Sequence, residues 1–323
     1  MTSAPIRAGE PVPTGQPQQD ASARLRQQDA SATSAHPGTG RPPAEPGAPS
    51  TAGRIRLIAS DLDGTLLTSG KAIAARARAA IQAALDAGII VVVATGRQLG
   101  SLPPCVFDTN IDDILASNGA YAYRRSTQET LFADLLDGST AAAVAAYLAD
   151  HAPGVTFNAA RNLGRTFICE QGYLDLMDDE DRTFERREHH TAALPEIVSE
   201  PTLKLIARHA TLTPGDLLGI LAASKLTGFH ATTSGAPFLE IGPAGVTKAT
   251  GLARLAALHG IEPGEVLALG DAGNDVEMLE WAGCGVAMAD AAPEARAVAQ
   301  LVTASSDADG FALVVEDVLA QLA

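Results

Sequence analysis

Positive charge is scarce in this sequence. Lysine and arginine number 23 against 38 aspartates and glutamates, a formal net charge of −15 over 323 residues. Residues 1–53 hold four arginines against four acids, so the excess falls on the remainder. A body this acidic repels nucleic acid and anionic membrane, and neither is expected as a partner. An anionic substrate would have to meet cations placed locally. Cysteine is scarce too: Cys105, Cys169 and Cys284 are far apart and odd in number. No pair has metal or redox spacing, so buried free thiols in a reducing compartment are expected. No apolar run approaches the length of a membrane-spanning helix. The N-terminus lacks the apolar core of a secretory signal, and the expected location is the cytoplasm.

Aromatic residues are missing altogether from residues 1–53, where nine of the nineteen prolines lie. Such a segment cannot bury enough apolar surface to offset chain entropy and reads as a disordered tail. Beyond it the rhythm is strand–helix–strand. An apolar run, Ile55 to Ala59, ends in Asp61-Leu62-Asp63-Gly64-Thr65. A helix is expected over 73–87, a buried strand over 89–94 ending in Thr95-Gly96-Arg97, and a strand over 111–116 ending in Ser117-Asn118-Gly119. A hairpin is expected from 121–123 and 129–132. From about residue 137 the pattern becomes short and mixed, and it reads as an inserted α+β domain over 137–235. The run Phe238 to Ile241 is expected to lead back to the first domain. Alternation then resumes with a helix over 247–259, a strand over 265–269 ending in Gly270-Asp271-Ala272-Gly273-Asn274-Asp275, and a closing helix over 311–322. The expected fold is α/β: a doubly wound, mostly parallel core sheet from 54–136 and 236–323, interrupted by a cap.

Four expected strand ends thus carry polar groups, and parallel βα units place such ends along one sheet edge. Asp61 and Asp63, two apart on an extended segment, project together. Asp61, Asp63 and Asp271 offer the hard oxygens that suit Mg²⁺. Thr95, with the N–H groups after it, can hold phosphoryl oxygens. Lys248 can balance the acids and a transferring group. A carboxylate can attack phosphorus, while a second protonates the leaving oxygen and then activates water.

The residues DLDGT at 61–65, ATGR at 94–97, SNGA at 117–120, Lys248 within GVTKATGLARL and GDAGNDVEML at 270–279 carry a resemblance. GVAMADA at 285–291 and DADGFA at 307–312 extend it. Over residues 54–323 the chain resembles a haloacid dehalogenase superfamily phosphatase of the Cof type, with a class IIB cap. The resemblance implies that Asp61 is the nucleophile, Asp63 the general acid/base and Lys248 the orienting cation. It implies a phosphate site at Thr95, Gly96, Arg97, Asn118 and Asn274. Mg²⁺ would be held by Asp61, the backbone carbonyl of Asp63 and Asp271, with Asp275 close by. The implied partner is a small phosphorylated metabolite, sugar phosphates first. Ala249, Ala272 and Asp290 depart from the commonest pattern, and none removes a charged group. A phosphomutase of the same architecture and a non-catalytic phospho-ligand sensor are the alternatives.

Blander readings apply elsewhere. GPAGVTK at 242–248 lacks the spacing of a nucleotide-binding phosphate loop. His189-His190 lies in a charged run and reads as a surface loop or helix end. Arg161, Arg165 and Arg208 read as surface arginines, and Trp281 as packing.

Overall fold

The computed structural model describes residues 55–177 and 189–322. The expected tail over 1–53 and the charged run over 178–188 lie outside the described residues. The apolar runs become strands: β1 (Leu57–Ser60), β2 (Ile90–Ala94) and β3 (Asp113–Ala116), then a hairpin of β4 (Tyr121–Arg124) and β5 (Glu129–Ala133). The middle of the chain supplies β6 (Thr156–Arg161), β7 (Thr166–Cys169), β8 (His189–Thr191), β9 (Leu205–Arg208), β10 (Phe229–Thr232) and β11 (Leu239–Pro243). The series closes with β12 (Val266–Gly270), β13 (Cys284–Ala287) and β14 (Leu301–Val302).

One eight-stranded sheet runs β14-β13-β12-β1-β2-β3-β4-β5. Its pairs from β14 to β3 are parallel, and only the β3–β4 and β4–β5 pairs are antiparallel. Side chains alternate across each strand, so both faces need cover. Ile58, Val91 and Val93 pack under the helices Ala75–Asp86 and Gly310–Ala320. Leu57, Ala59 and Val92 pack on the other face against Lys248–Leu258 and Val276–Trp281. The sheet is doubly wound as expected, and β1 sits inside it between β12 and β2. Trp281 is partly buried against the second of these cores.

A second sheet runs β10-β11-β9-β6-β7-β8 and is antiparallel except at the β7–β8 pair. Helices Gly138–His151 and Pro214–Ala222 cover one of its faces. This is the inserted cap. Three expectations need correction here. Residues 239–243 do not lead straight back to the core; they form β11, hydrogen-bonded between β10 and β9. The reason is their pattern: Leu239 and Ile241 face the cap's own core while Glu240 points the other way. The second sheet therefore extends past the expected limit at residue 235. His189-His190 is neither loop nor helix end, because its backbone pairs with β7 as an edge strand. Arg161 and Arg208 also differ from the surface reading. Arg161 is partly buried and donates to the Ile197 carbonyl at 2.7 Å. Arg208 is buried.

At the start of β3 the buried Asp113 accepts from Arg124 at 2.7 and 2.8 Å, and lies 2.6 Å from His259 Nε2. This ties β3 to β4 and to the end of the Lys248–Leu258 helix. Burial alone would raise the Asp113 carboxyl, but the hydrogen bonds from Arg124 and His259 outweigh it and hold it below its usual value. Asp113→Ala should cost about 2–3 kcal/mol in urea unfolding at pH 7, less than for a fully enclosed pair because Arg124 is partly exposed. Because the carboxyl is depressed in the folded chain, the wild-type advantage should be full above about pH 4 and vanish as pH falls through the lowered value. An unchanged unfolding midpoint at pH 7 would contradict this.

Candidate active site

The parallel order places the ends of β1, β2, β3 and β12 along one edge. The loop after β1 is locked to the loop after β12. Asp61 donates its N–H to the Leu269 carbonyl at 2.9 Å, and the Thr65 hydroxyl donates to Asp271 Oδ1 at 2.8 Å. Gly64 makes this approach possible. Its φ is +78°, and a Cβ there would lie 2.4 Å from Asp271 Oδ2. Lys248 opens its helix behind the capping residue Thr247 and is 1% exposed. Its Nζ donates to Asp61 Oδ1 at 2.5 Å and to Asp275 Oδ1 at 2.6 Å. The other oxygen of Asp275 accepts the N–H groups of Asp271 and Ala272, each at 3.0 Å. Asp275 thus braces both the lysine and the Asp271 loop.

Burial pushes the Asp61 carboxyl well above its ordinary value; Lys248 offsets part of this, and Asp275, Asp271 and Asp63 add to it. Burial and then Asp275 lift Asp271 to about 6. Burial would lower the Lys248 ammonium, but Asp275 and Asp61 overcome that and raise it. Three carboxylates, those of Asp61, Asp271 and Asp275, bring oxygens within 4.8 Å of one another. One ammonium lies among them, so the cluster holds an excess of negative charge. Asp61 and Asp271 line the cavity, and Asp275 does not. A hard divalent cation fits that deficit and that donor set. Asp61 and Asp271 can hold it directly, with Asp275 supporting from behind.

Asp63 has a different environment. Arg97 grips its two oxygens at 2.6 and 2.7 Å, and Lys71 lies at 3.4 Å. Burial would raise the Asp63 carboxyl, but Arg97 and then Lys71 outweigh it, and it lies below its usual value. The Arg97 guanidinium, expected at the phosphate, is therefore engaged with Asp63 and with the Ser101 carbonyl at 3.2 Å. Thr95 Oγ1 accepts the Arg97 N–H at 3.0 Å. Asn118, buried with a φ of 55°, gives its amide to Glu240 at 3.2 Å and accepts from Asn274 at 2.9 Å. It does not line the main cavity, whereas Thr95, Gly96, Arg97 and Asn274 do.

Two residues went unread in the sequence. Lys204, just before β9, and Glu240, on β11, form a buried ion pair, and Lys204 Nζ also donates to the Gly96 carbonyl at 2.8 Å. The pair seats the cap on the loop after β2. The signal was present in TLKLIA and FLEIG, where each lone charge interrupts an apolar alternation. Between cap and core lies a cavity of about 470 Å³ with Asp61, Asp63 and Asp271 on its floor.

A family model for haloacid dehalogenase-like hydrolases matches residues 58–315. The chain belongs to the haloacid dehalogenase-like hydrolases. Among its relatives in this family is a phosphoglycolate phosphatase of Natronomonas pharaonis, 32% identical, covering 80% of this chain and 95% of that one. The Bacillus subtilis 5-amino-6-(5-phospho-D-ribitylamino)uracil phosphatase YwtE is 28% identical, with 82% and 98% covered. The solved structure of BT4131, described as a HAD subclass IIB sugar phosphatase, superposes with a TM-score of 0.68 over 81% of this chain and 98% of that one. At 23% identity it speaks for the fold.

The charge excess at this hydrolase centre has a measurable consequence. Asp271 is raised, so its ionised form destabilises the metal-free fold above about pH 6 and protonation relieves it below. Adding Mg²⁺ at pH 7.5 should stabilise the protein by about 2.7 kcal/mol at a hundredfold excess over Kd. The gain should shrink as pH falls through about 6, because the proton competes with the cation. Asp271→Asn should lose most of it. Calorimetric melting with and without EDTA measures all three, and a wild-type melting temperature indifferent to Mg²⁺ at pH 7.5 would count against a cation site.

Proposed function

We propose that the chain is a Mg²⁺-dependent phosphatase that hydrolyses small phosphorylated metabolites through an aspartyl-phosphate on Asp61. The observation that carries this reading is the Asp61 carboxylate on the floor of a capped cavity, clamped by Lys248, with Asp63 two residues along. The phosphatase names of its relatives support it. Asp61, the backbone carbonyl of Asp63 and Asp271 would hold the metal. When bound, Mg²⁺ supplies positive charge that offsets these acids and draws electron density from the phosphoryl oxygens.

Lys248 fixes one Asp61 oxygen, leaving the other available to attack phosphorus. That oxygen forms a bond to phosphorus as the ester P–O bond breaks. The leaving oxygen takes a proton from Asp63 and departs as an alcohol. A water then gives its proton back to Asp63, attacks phosphorus and releases inorganic phosphate, regenerating the Asp61 carboxylate. Thr95 Oγ1 already accepts the Arg97 N–H, so its own proton is available to a phosphoryl oxygen. Asp63 as paired here is ionised, the form that activates water. For the first step Asp63 must take up a proton from solvent, which becomes favourable once Arg97 leaves it for the entering phosphoryl group. A cytoplasmic location belongs to the same proposal, on the acidic charge and the free thiols.

Asp61→Asn should lower kcat for a generic phosphate ester by about four orders of magnitude or more while the fold persists. Asp63→Asn should cost about 10²–10³-fold. Phosphate release with Mg²⁺ measures both; near-normal turnover by a folded Asp61→Asn protein sinks the mechanism.

A further inference from the structure

The loop after β2 is held by its carbonyls. The Thr95 carbonyl accepts the Asn118 N–H at 3.0 Å, and the Arg97 carbonyl accepts the Ser117 N–H at 2.9 Å. Both donors belong to the core, just after β3. The central carbonyl, that of Gly96, is met from the cap instead: it accepts Lys204 Nζ at 2.8 Å. A planar trans peptide sets its C=O and N–H in opposite directions. The lysine that draws the Gly96 carbonyl toward the cap therefore turns the Arg97 N–H the other way, where Thr95 Oγ1 accepts it at 3.0 Å. The direction of the Thr95 hydroxyl thus answers to a cation on the cap.

Lys204 is firmly mounted. Its carbonyl accepts the Ala160 N–H at 3.2 Å and the Thr202 hydroxyl at 3.0 Å. Its neighbour Leu205 packs in the cap's own core, so the lysine points the opposite way. Glu240 completes the arrangement. It pairs with Lys204 and accepts the Asn118 amide at 3.2 Å. Asn118 is also the residue whose N–H holds the Thr95 carbonyl. The pair thus grips the loop at Gly96 directly and at Thr95 through Asn118. Gly96 leaves room for it: a Cβ there would lie 3.0 Å from Asn118 Oδ1 and 3.3 Å from Glu240 Oε2. Lys204 and Glu240 are 4% and 2% exposed. To seat the cap, an apolar pair of like size would do as well, because the cost of burying two charges roughly cancels their attraction. An apolar pair could not hold the Gly96 carbonyl.

We propose that Lys204, backed by Glu240, is a positioning residue for the phosphoryl site: through the Gly96–Arg97 peptide, the seated cap sets the Thr95 hydroxyl that meets a phosphoryl oxygen. This rests on the phosphatase reading above and adds that a phosphate site built from core residues is completed by the cap. By linkage, phosphate binding and cap seating strengthen each other by the same factor.

Calorimetric titration of the full chain with inorganic phosphate, in Mg²⁺, reads the site without turnover. Lys204→Met should weaken phosphate binding about tenfold or more, the effect of losing a hydrogen bond from a charged donor. Lys204→Arg should recover part of it. Lys204→Met also strands Glu240 in the interior, so its melting temperature should fall. The double variant Lys204→Met/Glu240→Gln separates the two effects. The glutamine carries no charge and can still accept from Asn118, so the melting temperature should return toward wild type while phosphate affinity stays low. A partly inactive preparation changes the stoichiometry of the titration, not the Kd. In Lys204→Met, kcat/KM for acetyl phosphate and for p-nitrophenyl phosphate should fall by one common factor. Wild-type phosphate affinity in Lys204→Met, or affinity restored together with the melting temperature in the double variant, reduces the pair to a structural seat and overturns the proposal. A loss confined to p-nitrophenyl phosphate makes Lys204 a contact of the leaving group and overturns it too. No phosphate release from either substrate by the wild type overturns the phosphatase reading, while the phosphate titration still decides the role of Lys204.

Discussion

The ammonium of Lys248 holds this site together. It lies in the interior with Asp61 on one side and Asp275 on the other. Take it away and Asp61, Asp271 and Asp275 would face one another across a few ångströms with no cation among them. Buried charge is tolerable only when paired and hydrogen-bonded. Here the pairing does two things. It fixes the Asp61 oxygen, and through Asp275 it fixes the loop carrying Asp271. The cluster is still short of positive charge, a deficit that a hard divalent cation would fill.

The second dependence runs between cap and core. Lys204 reaches down to the Gly96 carbonyl, Glu240 to Asn118, and Asn118 to Asn274. This chain of hydrogen bonds links the cap sheet to the loops after β2, β3 and β12. The loop after β2, with Thr95, and the loop after β12, with Asp271, are thus joined through a side chain, Asn118, that does not itself line the main cavity. A cap seated this way roofs the floor, and electrostatic contacts there gain strength as a ligand displaces water from it.

The core was legible because its signals are local. Runs such as IVVVA can be little other than strands buried on two faces, and acids at the end of such a run must have a use. Lys248, Asp61 and Asp271 could be grouped because a parallel sheet brings strand ends together whatever their distance in sequence. The cap was less legible. Phe229–Thr232 carries no clear alternation, and its partner β11 could be recognised as a cap strand only once the pairing was seen. The Arg97–Asp63 contact was hidden because an arginine beside a phosphate site is equally suited to substrate or to a neighbouring acid. Lys204 and Glu240 were overlooked because each alone is an ordinary charge; only the fold shows that they meet.

The place of β1 inside the sheet bears on how the chain is made. Its neighbour β12 lies some two hundred residues further on, beyond the whole cap. While the chain is growing, β1 has one side paired with β2 and the other open, an edge that invites the wrong partner. Asp61 meanwhile waits without its lysine. The strand that shields that edge and the residue that neutralises that acid both come from the stretch that follows the cap. A nascent or truncated chain can therefore build half the sheet, but it cannot assemble the charge centre, and its reactivity begins only when the last third has closed over the first.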